Sequence, residues 1–198
     1  TNTNDDPLAQ NDFTLVMEDS SGALIDVLIN DEITPDTDEF LTITGVTQGT
    51  HGSSSVNSGG NYLTYTPTLN YVGSDVFSYT IADGNGGIAT ATVVISVTNV
   101  NDPPIAVDDQ VAASEDTALT ITPLTNDLAT PNENEILAII QIGIPNKGGS
   151  AFLSNSTLIE YTPAPDVAVS EAFTYTITDG NGGFSTATIT VTLSNTND

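Results

Sequence analysis

The sequence contains no cysteine, no tryptophan and no arginine, and its basic side chains are one lysine, Lys147, and one histidine, His51. The absence of cysteine excludes disulfides, thiolate chemistry and zinc-thiolate sites. Secreted eukaryotic modules of this size often depend on disulfides, so their absence favours a bacterial source. No apolar run approaches the roughly 18–20 residues that cross a bilayer as a helix, so direct membrane insertion is not expected.

Positive charge is nearly absent, and negative charge is abundant. The 26 Asp and Glu residues give a formal net charge of −25. Nucleic acid and anionic membrane surfaces repel such a chain, so neither is an expected partner. One interpretation is that the acidic surface only keeps the protein in solution. Disorder is not expected, because 38% of the residues are hydrophobic and they alternate with polar residues as in strands.

A short motif, Asn-x-Asn-Asp, occurs three times and divides the chain into two diverged copies of one sequence. It begins at Asn2, Asn99 and Asn195, so the steps are 97 and 96 residues (99 − 2 and 195 − 99). Between these motifs, Tyr-Thr-Pro and Asp-Gly-Asn-Gly-Gly each recur 96 residues apart. Self-similarity at a fixed period indicates a repeat array.

The period is that of a small domain, so each repeat is long enough to have its own core. We predict repeat 1 over residues 1–101 and repeat 2 over residues 102–198, with the junction at about residues 99–105. Pro103 and Pro104 stiffen this junction and stop the last strand of repeat 1 from continuing as a long edge.

Apolar residues alternate with a period of two along nearly every stretch, and no amphipathic helix is indicated. In repeat 1 this pattern predicts strands at residues 62–65, 76–81 and 89–97, and repeat 2 has matching segments. About seven strands in each repeat favour an all-β fold of two tandem seven-stranded antiparallel β-sandwiches, each an immunoglobulin-like Greek key. The Asp-Gly-Asn-Gly-Gly segments are predicted hairpin turns. His51 falls in a Gly/Ser-rich segment that is predicted to be a loop.

Much of the acidic charge is clustered. Asp31, Glu32, Asp36, Asp38 and Glu39 fall within nine residues. Carboxylates this close repel each other unless a cation binds between them. Ca²⁺ suits them because it takes about six to eight oxygen ligands from carboxylates, amides and carbonyls, whereas Mg²⁺ keeps its waters and transition metals prefer His or Cys. The alternative is that Asp and Asn at strand ends only form turns.

Four features occur in the same order in both repeats. They are a Glu near the end of the first strand, an Asx-rich loop after the second, the Asp-Gly hairpin before the last, and Asn-x-Asn-Asp with Pro. In this order they resemble cadherin repeats, and more closely the cadherin-like tandem repeats of large bacterial surface adhesins and exoproteins. The resemblance implies a calcium-rigidified extender or adhesion module of an extracellular multi-repeat protein. Its first partners would be neighbouring repeats of the same chain.

The resemblance also implies three groups of calcium ligands. The middle junction would use Glu18, Asp75, Asn99, the Val100 carbonyl, Asn101, Asp102, Asp127, Asn132, Asn134 and Asp179. The top of repeat 1 would use Asn2, Asn4, Asp5, Asp31, Asp36, Asp38 and Asp83. The bottom of repeat 2 would use Glu115, Glu171, Asn195, Asn197 and Asp198.

Repeat 2 departs from the cadherin pattern at two of these positions. Asn132 and Asn134 stand where repeat 1 has Asp36 and Asp38. Amides coordinate a cation without neutralising its charge. We therefore expect calcium to bind more weakly beside repeat 2 at the middle junction than at the top of repeat 1.

Two other binding functions stay open at this point. One is polysaccharide binding, for which Tyr71 on a predicted loop is the best aromatic platform, since the other tyrosines mostly fit strand patterns. The other is cell–cell contact with another cell-surface protein through an exposed face. An enzyme is not expected, because one histidine and no cysteine cannot supply a nucleophile–base pair in each repeat. Paired acids could hydrolyse glycosides, but these acids lie at predicted domain ends without aromatic subsites.

Overall fold

The computed structural model describes residues 4–33, 39–131 and 135–195. The chain forms two compact units, unit 1 (Thr1–Val100) and unit 2 (Asn101–Asp198). Each unit has seven strands and one short 3₁₀ turn within the described residues. Over these same residues, no helix is both long enough and apolar enough to cross a membrane.

Unit 1 is a sandwich of a four-stranded and a three-stranded sheet. Its strands are β1 (Asp12–Met17), β2 (Ala23–Ile25), β3 (Thr42–Val46), β4 (Gly52–Val56), β5 (Leu63–Pro67), β6 (Gly73–Ala82) and β7 (Ile88–Thr98). The sheet orders are β1-β7-β6-β3 and β2-β5-β4. Neighbouring strands are antiparallel except for β1 and β7, which run parallel over six residue pairs.

Unit 2 has the same topology as unit 1. Its strands are β8 (Asp109–Ser114), β9 (Leu119–Ile121), β10 (Ala138–Ile142), β11 (Ser150–Asn155), β12 (Leu158–Thr162), β13 (Glu171–Thr178) and β14 (Phe184–Ser194). The sheet orders are β8-β14-β13-β10 and β9-β12-β11, and β8 again pairs parallel with β14. The predicted tandem seven-stranded β-sandwiches are confirmed.

Alternate residues of the strands fill a separate core in each unit. In β7, Val93 and Ile95 are fully buried, whereas Val94 between them is only partly buried. β-branched and aromatic side chains pack well on such a half-buried pleated surface. Tyr65 stacks on Phe77 with ring centroids 5.7 Å apart, and the matching pair in unit 2 has the same separation.

The two Asp-Gly-Asn-Gly-Gly segments form the predicted hairpin turns, joining β6 to β7 and β13 to β14. Gly84 and Gly86 have φ angles of +86° and +119°, which glycine adopts without steric cost. The Gly/Ser-rich segment after His51 forms β4 rather than the predicted loop. β4 is a strand because its backbone hydrogen-bonds to β5, although its side chains lack the apolar alternation that usually identifies a strand.

We expect Ile95→Ala to lower the free energy of unfolding of unit 1 by about 2–5 kcal/mol, because it leaves a cavity in a fully buried position. Thr90→Ala, on the exposed side of the same strand, is the control and should change it by about 0.5 kcal/mol or less. Peptide-resolved hydrogen exchange in urea would locate the loss. An equal loss in the free energy of unfolding of both units would contradict separate cores.

Candidate metal sites

Some predicted calcium ligands lie outside the described residues, and the others can be located in each unit. Those outside are Asn2, Asp36, Asp38, Asn132, Asn134, Asn197 and Asp198. Most of the remaining acids lie in three kinds of place: against a turn of the backbone, beside a buried tyrosine, or at the end of the first strand.

Asp75, at the start of β6, fastens a turn of its own unit. It is 3% exposed. One carboxylate oxygen accepts the Thr50 N–H at 2.8 Å and the Val76 N–H at 3.0 Å; the other accepts the His51 N–H at 3.1 Å and the Tyr65 hydroxyl at 2.8 Å. Burial raises the pKa of Asp75, but these hydrogen bonds outweigh it and the pKa is lowered overall. The carboxylate thus ties the β3–β4 turn to β6 through these four hydrogen bonds.

Glu171 has the same role in unit 2, with a side chain one methylene longer. It is 1% exposed, and it accepts the backbone N–H groups of Lys147 and Gly149 and the hydroxyl of Tyr161. Burial, followed by the hydrogen bond to Glu171, raises the pKa of the Tyr161 hydroxyl. Both acids are therefore structural acceptors, and their predicted role as calcium ligands stays a prediction.

Asp83 closes the β6–β7 hairpin in unit 1. Its Oδ1 accepts the N–H groups of Asn85, Gly86 and Gly87 at 2.8, 3.0 and 3.0 Å, and its Oδ2 accepts the Asn4 side-chain amide at 3.0 Å. Successive backbone N–H groups that converge in this way form an anion-binding concavity. The predicted ligand Asn4 thus donates a hydrogen bond to the predicted ligand Asp83.

The hairpin of unit 2 repeats this arrangement. Asp179 Oδ1 accepts the N–H groups of Asn181 and Gly183 at 2.7 and 3.0 Å, and its Oδ2 accepts the Asn101 side-chain amide at 3.0 Å. Burial raises the pKa of Asp179, but the hydrogen bonds, led by that from Asn101, lower it overall. The second Asn of the first two Asn-x-Asn-Asp motifs, Asn4 or Asn101, therefore holds the hairpin acid of its own unit.

Each of these four acids lies against a glycine. A Cβ added at the glycine would come closer to a carboxylate oxygen than any normal contact allows. The resulting distances are 2.1 Å at Gly49, 2.1 Å at Gly87, 2.3 Å at Gly149 and 2.0 Å at Gly183. These glycines leave the space that the carboxylates occupy.

A pair of carboxylates lies beside the buried Tyr79 in unit 1. Asp31 accepts the Gln10 N–H at 2.7 Å, and its Oδ2 lies 3.0 Å from the Tyr79 hydroxyl. Asp12 Oδ2 and Asn30 Oδ1 are inaccessible to solvent and have no hydrogen-bond partner among the described residues. Burial, together with the charge of Asp31, raises the pKa of Asp12 to about 6 despite the hydrogen bond from Tyr79.

Unit 2 has the equivalent pair, Asp109 and Asp127. Asp127 accepts the Val107 N–H at 2.7 Å and lies 2.9 Å from the Tyr175 hydroxyl. Burial raises the pKa of both Asp109 and Asp127. Neither Asp12 nor Asp109 was among the predicted ligands, because an Asp that begins a strand gives no motif of its own.

Glu18, just beyond β1, is the predicted ligand that joins a unit to the linker. It is 3% exposed, and its Oε1 accepts the Val100 N–H at 2.8 Å. Carboxylate oxygens of Glu18 and Asp19 lie within 4.8 Å of each other. Asp19 was not among the predicted ligands, although the recurrence of Glu18-Asp19 as Glu115-Asp116 could have identified it.

The other described candidates also lie near strand ends or in the linker. Asp102 Oδ2 is inaccessible to solvent and has no hydrogen-bond partner within residues 4–33, 39–131 and 135–195. Glu115 is 3% exposed, whereas Asp5, Asn99 and Asn195 are exposed. Buried oxygen without a donor, in a chain with no Cys or Arg, fits a hard cation such as Ca²⁺.

Comparison with known proteins identifies the same repeat. The profile of the bacterial Ig domain family matches residues 4–96 and again residues 101–192. Protein GAMETE EXPRESSED 2 of Arabidopsis thaliana is 39% identical over 110 residues, which are 56% of this chain and 11% of that protein. The chain thus spans about a ninth of the length of this curated relative.

Solved cadherin ectodomains have a similar fold. Mouse cadherin-23 EC22-24 superimposes with a TM-score of 0.59 at 17% identity, covering 98% of this chain and 68% of that one. Human protein CDH23 EC21-23 gives a TM-score of 0.55 at 14% identity, covering 96% and 70%. At these identities the likeness shows the fold alone.

We expect Asp75→Asn to lower the free energy of unfolding of unit 1 by about 2–3 kcal/mol, because the amide nitrogen cannot accept the hydrogen bonds made to one carboxylate oxygen. Tyr65→Phe removes one of these bonds and should cost about 1–2 kcal/mol. Urea denaturation with chelator present would measure both. If Asp75→Asn costs nothing without calcium, the carboxylate does not fasten the turn.

The carboxylates also predict a pH optimum for stability. The pKa of Asp12 rises from 3.8 to about 6 on folding, so its contribution is full below 3.8 and is lost as pH rises through about 6. Asp75, Asp83 and Asp179 have lowered pKa values, so their contributions are present above 3.8 and are lost as pH falls below it. Stability should therefore be greatest near about pH 4.

Asp12→Asn tests this optimum. It should flatten the fall in stability between about pH 4 and 6, measured as the urea midpoint in chelator. Asp166→Asn, at an exposed position with a φ of +58° that Asn also adopts, is the control. A slope that is unchanged in Asp12→Asn would refute the assignment.

Proposed function

The chain belongs to the bacterial Ig domain family, and from this premise we propose that it is a calcium-rigidified extender or adhesion module of a multi-repeat bacterial surface or secreted protein. Its two tandem sandwiches have the cadherin-like, immunoglobulin-like fold of adhesion-type modules. In the proposed protein, calcium binds where one repeat ends and the next begins. The module works outside the cell, and its immediate partners are neighbouring repeats.

The observation that carries this proposal is the contact between Glu18 and the linker. Glu18 is buried at the end of the strand that begins the sandwich, and one of its oxygens accepts the Val100 N–H. Asp19 adds a second carboxylate within 4.8 Å. A buried carboxylate beside another carboxylate, in a chain with one lysine and no arginine, is stabilised by a bound cation.

Chain connectivity brings a third acid within reach of this pair. Asp102 is two residues beyond Val100, so their Cα atoms are at most about 7 Å apart. Its buried Oδ2 meets no hydrogen-bond donor in the part of the chain that the structure describes. Glu18, Asp19 and Asp102, with the side chain of Asn99 and the Val100 carbonyl, would supply the oxygen ligands that calcium requires.

Bound calcium would neutralise carboxylates that otherwise repel each other across the junction. Because the ligands come from a sandwich and from the linker after it, binding favours the arrangement in which they converge. Extracellular calcium modules bind at about 10⁻⁴–10⁻³ M. The junction is then flexible where calcium is scarce and stiff where it is abundant.

The other predicted ligands contribute to the proposal to different degrees. Asp75, Asp83, Asp179 and Glu171 already accept several hydrogen bonds each, so the proposal does not depend on them. Glu115, buried at the matching end of unit 2, is the counterpart of Glu18 for a following repeat.

Polysaccharide binding has weaker support. Tyr71 is only half-buried, but the His51 ring stacks on it with centroids 4.0 Å apart and planes 3° from parallel. His51 therefore covers one face of the ring that a sugar would use, and the Tyr71 hydroxyl donates to the Ser74 carbonyl.

Small-angle X-ray scattering with calcium and with chelator tests the calcium proposal. Calcium should narrow the distribution of the maximum dimension of the particle, raise the melting temperature and bind with a heat measurable by calorimetry.

Glu18→Gln keeps an acceptor for the Val100 N–H but removes the charge, and it should weaken calcium binding about tenfold or more. Asp166→Asn should bind normally. Calcium binding that is the same in Glu18→Gln as in the parent chain would refute the assignment.

A further inference from the structure

The outer face of the four-stranded sheet of unit 1 carries an apolar strip. The strip consists of Phe13, Leu15 and Met17 on β1, Val94 on β7 and Val76 on β6. Phe13 pairs with Val94, and Val94 with Val76, so three strands contribute to one apolar row. The three β1 side chains are 66%, 64% and 66% exposed. Exposed apolar patches of this kind mark interaction surfaces.

The fold does not require the strip. Unit 2 forms the same sheet with the same parallel pairing. At the positions of the strip its sequence has Gln110, Ala112, Ser114, Thr190 and Ala172. The strip is thus specific to unit 1, and unit 2 provides a matched control for it.

None of the described residues that these four strands turn outward has a charged side chain. The other outward-facing residues of these four strands are Thr42, Thr44, Ser74, Ser78, Thr80, Ala82, Ile88, Thr90, Thr92, Ser96 and Thr98. They belong to a chain with a net charge of −25. Two copies that met through their acidic ends would bring carboxylates together, whereas two copies that met through this face would not.

We propose that the apolar strip of unit 1 is a contact surface between two copies of this chain, strip against strip. A twofold contact places the same patch on both partners. Leu15, central in the β1 part of the strip, then lies near the twofold axis and faces its own copy. β1 is the edge strand of its sheet, so a second copy can approach it. No strip residue is a candidate calcium ligand, so this proposal is independent of the calcium proposal.

Sedimentation velocity in chelator tests the contact. The chain should form a concentration-dependent dimer, and added salt should strengthen it by screening the −25 charges of each copy. Leu15→Glu should raise the dimer dissociation constant more than about tenfold. Ala112→Glu, the equivalent change in unit 2, should leave it unchanged. Circular dichroism would confirm that both variants fold.

Cross-linking gives a second test, because the chain has no cysteine of its own. Under oxidation Leu15→Cys should form a covalent dimer rapidly, since the two thiols meet near the axis, whereas Thr90→Cys and Ala112→Cys should not. A chain that stays monomeric at about 1 mM, or a dimer that Leu15→Glu does not weaken, would overturn the proposal. Capture of a different partner by monomeric chains would also overturn it.

Discussion

The scarcity of positive charge is the constraint on which the rest of the structure depends. With 26 acidic residues against one lysine, buried carboxylates have almost no cationic side chain to pair with. They are instead satisfied by backbone N–H groups and tyrosine hydroxyls, as Asp75 and Asp83 are. Beside Glu18, where Asp19 adds a second carboxylate, the proposed counter-charge is a cation from solution.

Comparison of the two repeats shows which features the fold needs. The buried Tyr79 and Tyr175, each beside two acids, recur at equivalent positions. Asp75, which holds the β3–β4 turn, is replaced in unit 2 by the longer Glu171. Glu171 still accepts a hydrogen bond from the equivalent tyrosine, Tyr161. The fold therefore requires these interactions, whereas exposed positions that differ between the repeats can take part in binding.

The strand pattern of the sequence predicted the fold well, because period-two alternation directly reports a half-buried sheet. It failed at β4, whose Gly-Ser-Ser-Ser-Val sequence has almost no apolar alternation and depends on β5 for its pairing. The acidic residues were found, but their contacts were not predictable. Whether a carboxylate such as Asp83 meets N–H groups or open solvent depends on turn geometry, which composition does not specify.

The parallel pairing of the first and last strands of each unit has a mechanical consequence. Because β1 and β7 run side by side in the same direction, the chain enters a sandwich at one end and leaves it at the other. Tension along the chain therefore pulls these two strands in shear, and the bonds along six residue pairs carry the load together. Unit 2 has the same six-pair arrangement. Hydrogen bonds loaded at once resist more force than bonds that open one after another, so each sandwich is built to bear tension.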